Sequence, residues 1–420
     1  MGLGRRFLRY AEQRFHLRAQ AEKLRDSRVS PDHSLAAVWL SMFVMFAARL
    51  GSLNALEQRM RDKPRQWRGF LGEQWPSADT IGRVAEESIE CDQLRQMLMG
   101  AVKSLHRRKA IHPLPNGLPF RGASVDAHHL FSTEHRCCSA CQVRRVWKGK
   151  EENKRLVTEY YHTVVVLQLI GVEPQGVIDI EPVAPGEGEV AAATRLVRRV
   201  LANYPQLFDV MVADAQYACA PFFKELRRHG KHVIAVLKDE RRELFADIAP
   251  MERRTRPEEW EEDNGKYGVQ LWDFEDLGTW DAFGEPVRVV HTEEQTRRRT
   301  RRGRQWKEET EHHTWYWVTT IPQALANSWT IWRAGHRRWE VESGLNEAVN
   351  LWGLDHRFNH EPNAVVAFLQ TLFLALLLVR TFYARNLKPA VRHRMSRKLV
   401  SEKVAAFLDT ADLANCWHPP

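Results

Sequence analysis

Apolar positions along the chain change their spacing several times, and each change marks a different kind of structure. Up to about residue 112 they recur at helical intervals. Residues 34–60 carry apolar side chains on several faces, and Pro76-Ser77 opens a further helical run through Ile81, Val84, Ala85 and Ile89 with Ser77 as its N-cap. Pro113, Pro115, Gly117 and Pro119 then interrupt the pattern and set a boundary. Beyond it, β-branched runs alternate with helical ones. A short strand over 123–126 ends in Asp126, a long one covers 160–170, and a third covers 176–182; a helix at 188–204 leads to a buried strand, 210–214, ending in Asp214, then a helix at 221–229 and a buried strand at 233–237. Three strands, then helix, strand, helix, strand predict an α/β fold, a mixed sheet with helices on its faces.

Residues 240–325 break that rhythm. Acidic and basic blocks alternate with short aromatic strands at 269–274, 287–291 and 314–320, which predicts a β-rich insertion with the arginine run Arg297 to Arg304 at its tip. One long helix follows over 328–353, with Ser328 as N-cap and Gly353 as C-cap. The most apolar segment, 364–380, is shorter than the ~20 residues a bilayer span needs and contains Gln370 and Thr371, so a buried helix is expected. The tail from Leu387 is basic as far as Lys403, with a short amphipathic helix near 404–413. The predicted organisation is a helical, DNA-binding N-terminal domain (1–112), an α/β domain (119–386) containing the insertion, and a basic C-terminal tail (387–420).

Charge and cysteine usage narrow the class of partner. With 62 Lys+Arg against 53 Asp+Glu the chain carries a formal charge of +9, which suits a polyanion. Basic clusters at Arg5-Arg6, Arg59 to Arg68 and Arg107-Arg108-Lys109 fit a DNA-contacting face or a solvated basic one. The N-terminus shows no signal peptide, and a cytoplasmic, nucleoid-associated protein is expected. Three of the six cysteines fall within residues 137–141. His135, Cys137, Cys138 and Cys141 form half of a zinc signature, which His128, His129 or His162 could complete; free thiols are the alternative.

The chemistry centres on three carboxylates. Asp126 and Asp214 close apolar strands, where an ionised group can leave the core at the sheet edge. The long helix adds Glu340 and Glu342, which point roughly 200° apart, so only Glu342 shares a stripe with Gly335, Arg338 and Val349. Three carboxylates brought together repel, and bound divalent cations relieve that repulsion. Hard oxygen donors select Mg²⁺ or Mn²⁺, and two ions about 4 Å apart suit in-line phosphoryl chemistry.

The segments SVDAHH around Asp126, VADAQY around Asp214 and RRWEVESGLNEAVNLWGLDH around Glu342 resemble the catalytic blocks of bacterial insertion-sequence transposases of the DDE type, in the branch with a Tyr-Arg-Glu-Lys signature. The resemblance implies an RNase H-like catalytic domain with a β-rich insertion before the glutamate helix. It also implies two Mg²⁺ held by Asp126, Asp214 and Glu342, cleavage of double-stranded DNA at element ends, strand transfer into a target, and a homodimer in a synaptic complex. The family's Arg-to-Glu spacing pairs Arg338 with Glu342. Gly335 stands where the family has tyrosine and Val349 where it has lysine, so phosphate contacts fall to Arg338 and to neighbours such as Arg337, Asn346, Asn350 or His356. Some family members stack a flipped base on an aromatic of the insertion, for which Trp280 and Trp306 are candidates. The alternatives are an RNase H-like nuclease without strand transfer, or an inactive, domesticated descendant that only binds DNA.

Overall fold

The computed structural model describes residues 2–71, 75–135, 138–238, 242–262, 267–302 and 305–410. Seven helices come first: α1 (Leu3–Phe15), α2 (Leu17–Glu22), α3 (Leu35–Ala47), α4 (Leu53–Asp62), α5 (Pro64–Leu71), α6 (Ala78–Glu87) and α7 (Cys91–Arg107). Three of them start at serines whose hydroxyls accept from the backbone N–H three residues on: Ser34 from Ala37, Ser52 from Ala55 and Ser77 from Thr80. The apolar run 34–60 is therefore two helices. Arg49 and Gly51 take left-handed backbone conformations between them, and Ser52 restarts the chain.

The strands and helices that follow are β1 (His112–Pro113), β2 (Gly122–Thr133), β3 (Gln142–Lys148), β4 (Arg155–Ile170), β5 (Val172–Glu173), β6 (Val177–Pro182), α8 (Glu189–Asn203), β7 (Val210–Ala213), α9 (Ala220–Arg228) and β8 (His232–Val236). Then come α10 (Arg242–Glu252), β9 (Glu258–Glu262), β10 (Tyr267–Leu277), β11 (Val287–Arg302) and β12 (Gln305–Thr319), and finally α11 (Ser328–His336), α12 (Trp339–Trp352), α13 (Pro362–Asn386), α14 (Pro389–Arg392) and α15 (Arg397–Thr410). One large mixed sheet runs in the order β3-β4-β2-β7-β8-β12-β11-β10-β9, with β6 also on β4. The α/β reading holds, and the sheet with its flanking helices is RNase H-like.

One expectation is corrected by the sheet. The strand carrying Asp126 does not end there: β2 continues to Thr133, because β4 pairs with it along its whole length. What ends is the neighbour, β7, at Ala213, so Asp126 still reaches an open edge on that side. The insertion also continues the central sheet, since β12 pairs antiparallel with β8 through Trp317, Val318 and Thr319. Its hairpin, β11 with β12, carries the described part of the arginine run, residues 297–302, and α10 adds a helix within 240–325 that the pattern did not predict.

The segment 328–353 is two helices. The N-cap is Asn327, whose side chain accepts from the Thr330 N–H, and Gly353 ends α12 at φ 70° with a Leu354 N–H to Ala348 C=O bond. Between them Arg337, Arg338, Glu340 and Val341 all donate to carbonyls three residues back, which tightens the turn. Glu340 anchors the break: its carboxylate accepts from the Gly171 N–H at 2.8 Å and from Gln175 at 2.7 Å, beside β4 and β5.

α13 is the spine of the helical layer. It is long and apolar enough to cross a membrane, yet its most apolar window is entirely buried inside the protein. It packs against α3, α6 and α7 on one side and against β6, α12 and α15 elsewhere, so the N-terminal helices and the sheet share one core. Polar ties cross that core: Trp39 Nε1 donates to Thr371 Oγ1 at 3.1 Å, and Asp179 on β6 accepts from Gln370 on α13 and from Arg199 on α8. α12 lies across β2 and β4. Gly344 permits that approach, because a Cβ there would lie 2.5 Å from Gln168 Oε1.

Candidate active site

Three elements bring the carboxylates to one place. β2 and β7 are parallel, with Gly122 opposite Val210, Ala123 opposite Met211 and Ser124 opposite Val212. Both carboxylates lie just beyond the last of these pairs, Asp126 two residues after Ser124 and Asp214 two after Val212. Asp214 leaves β7 at Ala213 and caps a 3₁₀ turn, Ala215–Tyr217, accepting from the Ala215 N–H at 2.7 Å. Asp126 accepts in the same way from the Ala127 N–H at 2.9 Å. α12, crossing β2, supplies Glu342.

The electrostatics record their proximity. Burial is the main influence on Asp126; the Ala127 N–H opposes it, the charges of Glu342 and Asp214 add to it, and Arg338 partly offsets them. The net effect raises the carboxyl from 3.8 to about 6. Tyr217 lies close by, buried, and its phenol is pushed up by that burial and then by Glu189, Asp126 and Asp214, so it stays neutral.

Arg338 sits in the turn between α11 and α12 and donates to Glu342 Oε1 at 2.7 Å. Its guanidinium carbon lies 5.9 Å from the centre of the Trp315 ring and 5.6 Å from that of Trp339. Its Nε is buried, with no hydrogen-bond partner among the described residues. The sheet edge thus combines hard oxygen donors with a positioned guanidinium.

The family model for the transposase DDE domain matches residues 125–378, from the residue before Asp126 through most of α13. The chain belongs to the DDE transposase domain family. No curated protein matches it. The matched span takes in all three carboxylates, Arg338 and the whole insertion of this transposase.

The other residues singled out by sequence are placed differently. Arg337 donates to Glu340 and to the Asn116 carbonyl, which ties α11 to the segment before β2. Asn346 is exposed on α12. Trp280, suggested as a stacking platform, is only 2% exposed and lies edge-on to Phe223 at 5.0 Å, so it is a core residue with no face open to a base. Trp306, 63% exposed near the hairpin tip and opposite Arg301, keeps an open face. Among the proposed zinc ligands, Cys137 lies outside the described residues. Cys138 and Cys141 meet His162 rather than His135.

Gly335, where a tyrosine was expected, has a packing reason. A Cβ there would fall 2.5–2.7 Å from three atoms of the buried Trp317 indole, so no side chain fits without moving the ring. Gly335→Ala is expected to destabilise the transposase by about 1–3 kcal/mol, although alanine gains roughly 1 kcal/mol of helix propensity. A urea midpoint equal to that of the parent chain would contradict this packing. Val349, where lysine was expected, packs partly buried against the core.

The raised Asp126 carboxyl sets a pH dependence. The folded chain holds this proton to higher pH than the unfolded chain, so the group's contribution to stability is complete below about pH 4 and lost as pH rises through about 6. Thermal melts in chelator should therefore show Asp126→Asn gaining over the parent from about pH 4 to about pH 7. A constant difference across that range would rule out the titration.

Proposed function

We propose that this DDE transposase cuts double-stranded DNA at the ends of its element and transfers the freed ends into target DNA, with Asp126, Asp214 and Glu342 as the catalytic carboxylates. The observation that carries the reading is the parallel pairing of the two strands that lead to Asp126 and Asp214, with Asp214 and Glu342 both acting on the Asp126 carboxyl. Three acids pressed together at the cost of a raised carboxyl fit a divalent-cation site better than a structural cluster. Their oxygen-only donor set suits Mg²⁺ or Mn²⁺, and in this reading the three residues hold two ions.

Such ions supply charge neutralisation at the scissile phosphate and a more acidic attacking water or hydroxyl. The chain's own residues do the rest. Arg338 keeps Glu342 turned toward the sheet edge and brings a cationic group beside the carboxylates, where it would meet a phosphate oxygen. Asn346 on the exposed face of α12, the arginines of the β11–β12 hairpin and Trp306 provide polar, cationic and stacking contacts to DNA. The helices of residues 1–112 and the basic tail from Leu387 add sequence-independent grip. Two chains hold two ends as a homodimer at the nucleoid.

The test is incubation of the full chain with DNA carrying the genomic flanks of its own gene, with Mg²⁺, Mn²⁺ or chelator, followed by sequencing of the products. Metal-dependent breaks at two fixed ends, together with joined products, are expected. Breaks without joining would reduce the activity to that of a nuclease, and intact DNA with retained binding would reduce it to a binding protein.

A further inference from the structure

At the far end of β2 from its start, the turn between β2 and β3 brings two sulfurs to one imidazole. Cys138 Sγ and Cys141 Sγ are 3.5 Å apart, and His162 Nε2, on β4, is 3.4 Å from the first and 3.7 Å from the second. All three residues are buried. Around a tetrahedral zinc with bonds of about 2.3 Å to sulfur and 2.0–2.1 Å to nitrogen, the ligand atoms are separated by roughly 3.8 Å (S to S) and 3.5 Å (S to N). The triangle matches those edges to a few tenths of an ångström. Van der Waals packing alone gives no reason for three ligand atoms, on a turn and on a separate strand, to converge on one point.

The surroundings also suit a metal. The His162 imidazole donates to the backbone carbonyl of His360, the second contact that fixes ring orientation in metal-bound histidines. Phe131 lies against both His162 and His360, 5.8 and 4.7 Å between ring centres, and shields the cluster.

We propose that Cys138, Cys141 and His162 bind a zinc ion, with the two thiol protons released to solvent on binding and the fourth tetrahedral position left to a further donor. The ion would cross-link the β2–β3 turn to β4 and hold the outer half of the strand that carries Asp126. The site is separate from the oxygen donors of the DNA-cutting reading, and thiolate with imidazole selects zinc where carboxylates select Mg²⁺.

The experiment is elemental analysis of the full chain purified without chelator, with Co²⁺ titration of chain stripped of metal. About one zinc per chain is expected, as is a cobalt complex with thiolate charge-transfer bands and the intense visible bands of a tetrahedral site. His162→Ala and Cys138→Ser should each lower zinc content at least about tenfold. Chain that carries no zinc and gives no thiolate band with Co²⁺ would overturn the proposal, as would full zinc content in folded Cys138→Ser. The cobalt measurement uses the unaltered sequence, so the proposal stays falsifiable if the variants misfold. Neither readout depends on DNA cleavage.

Discussion

Asp214→Asn and Glu342→Gln are each expected to lower Mg²⁺-dependent cleavage of element-end DNA by about 10³-fold or more while leaving DNA binding unchanged. Each change keeps the side-chain shape and removes one negative charge from the group that would hold the cations. Losing a charged ligand at such a site removes several kcal/mol of transition-state stabilisation, and each 1.36 kcal/mol is a factor of ten in rate. The same substitutions relieve the repulsion acting on Asp126, so the metal-free chain should be no less stable than its parent. That combination, inactive but intact, separates a catalytic role from a structural one. Glu340→Gln is the contrasting control, because Glu340 binds Gly171, Gln175 and Arg337 and its loss should lower stability first. Retained cleavage in Asp214→Asn would end the catalytic assignment.

Asp273→Ala is expected to cost about 3–5 kcal/mol of stability, the largest effect among changes outside the carboxylate site, because it strands a buried charge. Arg288, on β11, is only 2% exposed and donates to both Asp273 oxygens, at 2.7 and 2.6 Å. Its remaining nitrogen reaches the carbonyls of Ala326, at 2.6 Å, and Ile321. The Ala326 carbonyl immediately precedes Asn327, the cap of α11, and Ile321 lies six residues before it, so this guanidinium holds the segment that leads into the α11–α12 unit. Loss of the aspartate should therefore lower the urea midpoint and weaken cleavage as well, since Arg338 and Glu342 ride on that unit. A shift corresponding to less than about 1 kcal/mol would mean that water reaches Arg288 and that the pair is not a true interior one.

The α11–α12 unit shows how far sequence reaches and where it stops. Periodicity and terminal signals placed its ends within a residue, at Asn327 and Gly353, because capping is local chemistry between neighbours. The interruption at Arg337 and Arg338 was invisible. It depends on Glu340 finding the Gly171 N–H, a partner 169 residues away. Gly335 read as a missing tyrosine until Trp317, brought in by the pairing of β12 with β8, was seen to fill its place. Trp280 likewise read as a turn aromatic, and only the packing of Phe223 against it turned it inward.

By itself the sequence determined most of the elements, though not α10, β3 or β9, and with them the buried helix around residue 370 and the candidate acids, since these follow from residue type, spacing and local caps. Only the tertiary structure decided which residues come near one another: that β7 stops at Ala213 while β2 runs on, with Asp214 and Glu342 both acting on Asp126, and that His162 rather than His135 approaches Cys138 and Cys141. Strand register and helix docking are fixed by contacts between segments far apart in the chain. A pattern of neighbours along one segment carries no record of them.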